Sequence, residues 1–206
     1  WPIKIEADQL PQVEFLQAPG RDRRGLLKIQ FEARDDFGIN DVGIVIRHSQ
    51  GWHLPDGKGE LNIKFPIQKR GTPIVKGVIS QDLMDHPWAG SRVDLRLHTS
   101  DSARQVGSSK TLSLVLPERV FNHPVARAII AARKKLNQFE SQTILEVSRD
   151  IERIAMRPTR FSEDMIVFLN LAISRSRLLQ NGSLEALGTV QELLWKTAVR
   201  LEDGEF

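Results

Sequence analysis

The sequence predicts an α+β protein, with an antiparallel β-sandwich over residues 1–116 followed by a helical bundle over residues 117–206. Three observations carry this. Before Pro117 the apolar residues alternate with polar ones; after Asn122 they recur every three or four positions. Between them the stretch Thr111 to Arg127, TLSLVLPERVFNHPVAR, hands one pattern to the other within about ten residues. A connection this short is expected to restrict tumbling of one part against the other.

The first strand is expected around Val13, Phe15 and Leu16, ended by a turn at Ala18-Pro19-Gly20. Leu27, Ile29, Phe31 and Ala33 then alternate with Lys28, Gln30 and Glu32, the pattern of a half-buried antiparallel strand. Arg34-Asp35-Asp36-Phe37-Gly38-Ile39 reads as a turn into a separate strand through Val42, Ile44 and Ile46. Gly51 to Gly59 reads as a loop. Leu61, Ile63, Phe65 and Ile67 alternate again, and Arg70-Gly71-Thr72-Pro73 turns the chain into a strand over Ile74 to Ile79. Gln81 to His86 suits one helical turn closed by Pro87. Val93, Leu95, Leu97 and Thr99 give a penultimate strand, and Leu112, Leu114 and Leu116 the last. Six or seven short strands spaced this way describe a β-sandwich. With no cysteine pair, a fibronectin- or cadherin-like member of the immunoglobulin-type sandwiches fits better than an antibody-type domain.

The helical half begins at Asn122-His123-Pro124, a cap followed by proline at the first helical position. Val125, Ile129, Ala132, Leu136 and Phe139 form one stripe, with a possible break at Ser141; Ile144, Val147, Ile151 and Ile154 form a second that stops at Arg157-Pro158. Ser162 is read as the cap of a third helix, with Phe161 stapled onto Ile166. Met165 to Ile173 is apolar nearly all round, so this helix is expected at the centre of the bundle, with Phe168 in the core beside Ile129, Leu136, Ile151, Leu194 and Trp195. Asn181-Gly182 ends it, Ser183 caps a fourth, and Gly204 terminates that one.

Composition sets bounds. The 206 residues, 40% of them hydrophobic, suffice for one large core or two small ones. No run approaches the ~20 apolar residues of a membrane span. The start at Trp1 suggests a piece of a longer protein. The absence of cysteine removes thiol catalysis and cysteine-built zinc sites. The net charge of +3 is spread evenly, with 16 Lys+Arg against 14 Asp+Glu before residue 117, so no basic face points to nucleic acid.

Catalytic and cofactor motifs are absent. Gly57-Lys58-Gly59 has Asn62 where a dinucleotide fingerprint needs glycine, and Gly51 to Lys58 is one residue too long for a phosphate loop. No two of the five histidines are three or four residues apart. No cofactor is expected. Asp35, Asp36 and Asp101 are the polar constellation to examine: sandwich topology brings their turns to one end, where carboxylates suit Ca²⁺. The ordinary reading, preferred here, is that each forms turn hydrogen bonds to its own backbone. Trp52 and Trp88, with Trp1, are candidates for a sugar-stacking platform, against ordinary packing at a sandwich edge.

Four stretches resemble a known family: FEARDDFGI (Phe31–Ile39), HPWAG (His86–Gly90), LPERVFNHPVARAII (Leu116–Ile130) and LLWKTAVRLEDG (Leu193–Gly204). Together they are similar to the alphaproteobacterial domain-of-unknown-function 4175 family. Its members carry N-terminal membrane-spanning helices, an extracytoplasmic part with an immunoglobulin-like stretch and helices, and a low-complexity C-terminal region. Where the family has a DAAGQ-like turn, this chain has Asp101-Ser102-Ala103-Arg104-Gln105, which argues further against a metal loop. The family supplies no catalytic residues. The resemblance implies a location on the periplasmic side of the inner membrane, with membrane attachment only through segments outside this sequence.

The expected function is therefore a non-enzymatic interaction or scaffold module of the cell envelope. A carbohydrate- or peptidoglycan-binding domain is the alternative, and an accessory part of an enzyme whose site lies elsewhere is the second. The expected partner is a protein, further segments of the parent chain, or a second copy of this one. The expected interface is apolar surface around Val199 and Leu201 on the fourth helix.

Overall fold

The computed structural model describes residues 8–52, 57–138, 140–180 and 183–204. Phe139, Asn181 and Gly182, placed above in a helical stripe and a helix stop, lie outside the described residues, as do Trp1 and His53. The chain separates into two units: residues 1–50, 60–84 and 89–118 in one, and 51–59, 85–88 and 119–206 in the other. The division falls near residue 118, but two segments between strands belong with the helices rather than with the sheet.

The first unit is one eight-stranded antiparallel sheet, curled on itself: β1 (Gln12–Phe15), β2 (Gly20–Arg21), β3 (Leu27–His48), β4 (Leu61–Phe65), β5 (Thr72–Gln81), β6 (Arg92–Asp101), β7 (Val106–Ser108) and β8 (Leu112–Val115). Its organising element is β3, 22 residues long. The expected turn at Arg34–Ile39 is a bulge inside this continuous strand, where the register with β5 shifts between Arg34 and Ile39. Gly38 explains why the strand bends instead of reversing. It sits at φ +96°, and a Cβ there would lie 2.4 Å from the carbonyl carbon of Gly71. The β4–β5 turn occupies that space, and the Gly71 amide donates to the Ile39 carbonyl at 2.8 Å.

The bulge changes β3's partners. Its first half pairs with β1, β2 and β5; its second half pairs with β4 and β6. The side chains facing the core come from both halves: Leu27, Ile29 and Phe31 before the bulge, Val42, Ile44 and Ile46 after it, all buried. The ring of Phe31 lies 5.1 Å from that of Phe65 on β4, so the curled halves close over one core. Val93, Leu95 and Leu97 of β6 complete it, while Leu112 and Leu114 of β8 are only half-buried. The Pro11 carbonyl, entering β1, rests against Gly107 of β7, where a Cβ would come within 1.6 Å of it. Only glycine fits so close an approach.

The second unit holds α1 (Pro124–Lys135), α2 (Ser141–Ala155), α3 (Met165–Gln180) and α4 (Leu184–Asp203). At α1 the His123 imidazole is the cap: Nδ1 accepts from the amides of Val125 and Ala126 at 3.2 and 3.4 Å, with Pro124 first in the helix. Ser183 caps α4, and Gly204, at φ +69°, ends it. The third cap is not Ser162. After the 3-10 turn begun by Pro158, Ser162 and Glu163 both adopt positive φ, which delays the helix. Asp164 takes the cap, accepting from Ile166 at 2.8 Å and Val167 at 3.2 Å. The staple fails with it: Phe161 is fully buried but Ile166 is half-exposed.

The bundle core is built from Ile129, Leu136, Val147, Ile151, Leu171 and Leu194, with Trp195 packed at its side. The third helix is not central. Of α3 only Val167, Leu171, Ser174 and Leu178 are buried, one stripe at spacings of four, three and four.

Candidate functional site

At the sheet end, the residues expected to converge behave as turn formers. Asp35 Oδ2 accepts from the Phe37 amide at 2.9 Å, and Asp101 Oδ1 accepts from the Gln105 amide at 2.7 Å. Each is a carboxylate bonding its own backbone, the role aspartate has in turns. Asp8 lies nearby, hydrogen-bonded to the Gln105 side chain. Burial first, then the neighbouring charges of Asp36, Asp101 and Asp35, push its carboxyl above the usual range. The acidic residues thus share one neighbourhood, yet among the described residues no three His, Cys, Asp or Glu side chains group closely enough to hold a metal ion.

The stacking platform does not form around Trp88. That ring is fully buried, with His86 edge-on at 5.2 Å, and presents no face to a sugar. Trp52 is half-buried, and Trp1 lies outside the described residues.

What surrounds His86-Pro87-Trp88 is a polar network that the sequence reading missed. Arg133 of α1 is buried, donating Nε to the Gln191 carbonyl at 2.9 Å and Nη2 to the Asp85 carbonyl, with its guanidinium 5.2 Å over the Trp195 ring. Asn137 donates to the Pro87 carbonyl at 2.7 Å and accepts from Gln191 at 2.8 Å. Burial, opposed only by Asp85, lowers the Arg133 pKa to about 10, which still leaves it charged at neutral pH. Burial, aided by the positive Arg133, lowers His86 to about 4. The neutral imidazole accepts from the Trp88 amide through Nδ1 at 3.1 Å. These groups bond one another, leaving only the buried Gln191 Oε1 of the network's named acceptors without a partner, and hold the 85–88 segment to α1 and α4. That is a structural clamp.

A second junction links the start of α1 to the end of α4. The Glu202 carboxylate accepts from the amides of Asn122 at 2.9 Å and His123 at 2.8 Å. Those hydrogen bonds hold its pKa below the usual range. Arg119 pairs with Asp203, and Phe121 meets Trp195 edge-on at 5.5 Å. Each of the four quoted stretches therefore sits at an architectural joint: the β3 bulge, the 85–88 clamp and the two sides of the α1–α4 junction.

The surface expected at Val199 and Leu201 is not exposed. Leu201 is 3% accessible and Val199 packs partly buried against the core. Leu201 lies on the stripe that α4 turns into the bundle core, and Val199 packs at the edge of that core. The exposed apolar face belongs to α3 instead. Met165, Ile166, Phe168, Leu169, Ile173 and Leu179 are 42–65% accessible. Beside them a groove of about 430 Å³ runs between α2 and α3, lined by Ala155, Met156, Phe168, Ala172 and Leu179 and bordered by the Glu152–Arg175 ion pair at 2.9 Å. The unbroken apolar run of α3 was the available signal, and it points outward.

A curled antiparallel sheet and a four-helix unit with an exposed apolar helix face define an α+β chain. The family model for a domain of unknown function, number 4175, matches residues 1–206, and the chain belongs to that family. No curated protein and no solved structure matches the chain. Among the described residues no helix is long and apolar enough to cross a membrane.

Proposed function

We propose that this chain is a non-enzymatic interaction module of an envelope protein, on the periplasmic side of an inner-membrane-anchored parent. The observation that carries the reading is the α3 face. A helix that spends four residues on the core and leaves six large apolar side chains in solvent has more hydrophobic surface than its fold uses. Contiguous exposed patches of this kind mark interaction sites. The α2–α3 groove beside it is the shape that receives the apolar side of another amphipathic helix, with anchors spaced three or four residues apart. That helix comes from a protein partner or from further segments of the parent chain; self-association of this chain uses the same face. The periplasmic placement rests on the family resemblance.

Two further features support a binding role over catalysis. The motif-like stretches are consumed by architecture, and His86, the most strongly shifted histidine among the described residues, is clamped to a backbone amide. Light scattering over a range of concentrations tests the reading, combined with a pull-down of the full-length parent from its own membranes. Loss of concentration-dependent association, or of captured partners, on Phe168→Ser with Leu169→Ser supports it. A chain that stays monomeric and captures the same proteins with or without those substitutions removes the interface from α3.

A further inference from the structure

The opposite side of α2 carries a larger and chemically different groove. It lies between α1 and α2, has a volume of about 660 Å³, and is floored by Val125, Ala128, Ala131, Ala132 and Ile154. The alanines create it: three small side chains along α1 leave open the strip that larger residues would fill. Its cations come from Lys135, Arg153, Arg157 and Arg160, against the single carboxylate of Asp150. Asp150 is already committed, to Lys135 at 2.7 Å and Arg153 at 3.1 Å. Arg157 and Arg160 have no ion-pair partner among the described residues.

These two arginines are also placed together by the backbone. Residues Pro158–Phe161 form a 3-10 turn, and the Arg160 amide donates to the Arg157 carbonyl at 3.0 Å. Arg157 immediately precedes the turn and Arg160 lies within it, and both line the groove, so two guanidiniums border it with no ion-pair partner among the described residues. Like charges so placed repel unless an anion sits between them. We propose that the α1–α2 groove binds a long-chain fatty acid. The carboxylate is taken by the Arg157–Arg160 pair, whose planar forks match carboxylate geometry, and the single alkyl chain lies along the alanine floor. The volume is that of a small-molecule site, mainly apolar with a few convergent polar groups. This goes beyond the helix-docking reading and does not depend on it, because the groove and α3's exposed face are lined by different residues.

The test is titration of the full chain with laurate, myristate and palmitate below their micellar concentrations, followed by calorimetry. Saturable one-to-one binding is expected, tightening several-fold with each pair of added methylenes. Dodecanol, which has the chain without the charge, is expected to bind at least about tenfold more weakly than laurate, as is laurate to the Arg157→Gln/Arg160→Gln protein. Ala128 and Ala131 are exposed helix positions that tolerate leucine, so Ala128→Leu/Ala131→Leu is expected to fill the groove and abolish binding while circular dichroism and the melting temperature hold. Absence of binding, equal affinity for dodecanol, or indifference to the arginine pair with the fold intact overturns the proposal. Preference for an acidic amphipathic peptide over every fatty acid overturns it too, and assigns the groove to a protein.

Discussion

Helices α3 and α4 are both rich in leucine and its relatives, and they meet opposite fates. The fourth buries Leu187, Val190, Leu194, Ala198 and Leu201 on one stripe and keeps its charges outside. Its end is tied to the start of α1 by Glu202, and its middle, at Gln191, to the Arg133 and Asn137 side chains that in turn hold Asp85 and Pro87. The third buries a stripe just as regular but only four residues long, and its remaining apolar residues face water. Hydrophobicity alone therefore does not decide burial here. What decides it is whether a neighbour is available on that side, and α3 has α2 and α4 on its inner side while, among the described residues, its outer side stays exposed.

The largest test of that contrast removes side chains of similar chemistry from the two helices. Leu194→Ala should cost about 2–5 kcal/mol, the range for a fully buried leucine whose cavity cannot collapse. Phe168→Ala, at a residue 42% exposed, should cost under about 1 kcal/mol despite the larger side chain. Urea denaturation of both variants measures the difference. Equal losses would place Phe168 in a core and reverse the account of α3.

Acid should distinguish the clamped helix next. His86 is neutral in the folded state, with its pKa lowered from 6.5 to about 4 by burial and by Arg133. The unfolded chain therefore binds the extra proton first as pH falls. Stability from this group is complete above about pH 6.5, erodes as pH drops toward 4, and erodes no further once the folded form is also protonated. The loss is at most about 3 kcal/mol. Asparagine keeps an acceptor for the Trp88 amide without titrating, so His86→Asn should flatten the stability profile between those pH values. An unchanged slope in the variant would mean that other groups carry the acid sensitivity.

Much of this fold was legible beforehand, and the misses share a cause. Alternation located Leu27, Ile29, Phe31, Val42, Ile44 and Ile46 of β3 and Val93, Leu95 and Leu97 of β6, though it left buried Ile39 in a turn and Glu32 on the outer face; the caps at His123, Ser183 and Gly204 follow from local chemistry alone. The β3 bulge was not legible because Asp-Asp-Phe-Gly has turn composition in either case. What makes it a bulge is Gly71, distant in sequence, packed against Gly38. Trp88 and the Arg133–Asn137–Gln191 network were invisible for the same reason, since each hydrogen bond spans about fifty residues or more. The α3 run was seen, but its periodicity could not say which side lacked a neighbour. The expectation therefore falls on Val199 and Leu201, whereas the exposed apolar face is that of α3, one helix away.

A smaller effect tests how α3 is fixed at its start. Asp164 caps the helix and pairs with Arg200 of α4 at 2.7 Å. Burial alone would raise its carboxyl pKa, but Arg200 and the amides of Val167 and Ile166 hold it below the usual range. Asp164→Ala should cost about 1–2 kcal/mol through the lost cap and the unpaired arginine, whereas Ser162→Ala should be nearly neutral. Thermal melts of the two variants settle which residue begins the helix.

The smallest expected change in stability carries the most information about function. Met165 and Phe168 lie one turn apart on α3's outer side, 65% and 42% exposed. Replacing both with serine removes apolar surface that the folded monomer leaves in water, so stability should shift by less than about 0.5 kcal/mol. If that face only decorates the surface, the double variant will also behave like the parent in every binding assay. If it is a docking face, the same substitutions should weaken association tenfold or more, because buried aromatic and methionine anchors dominate such contacts. Measuring melting temperature and association side by side separates these outcomes. A large loss of stability with no loss of association would show that α3's outer face serves the fold after all, and that its exposure does not mark a partner.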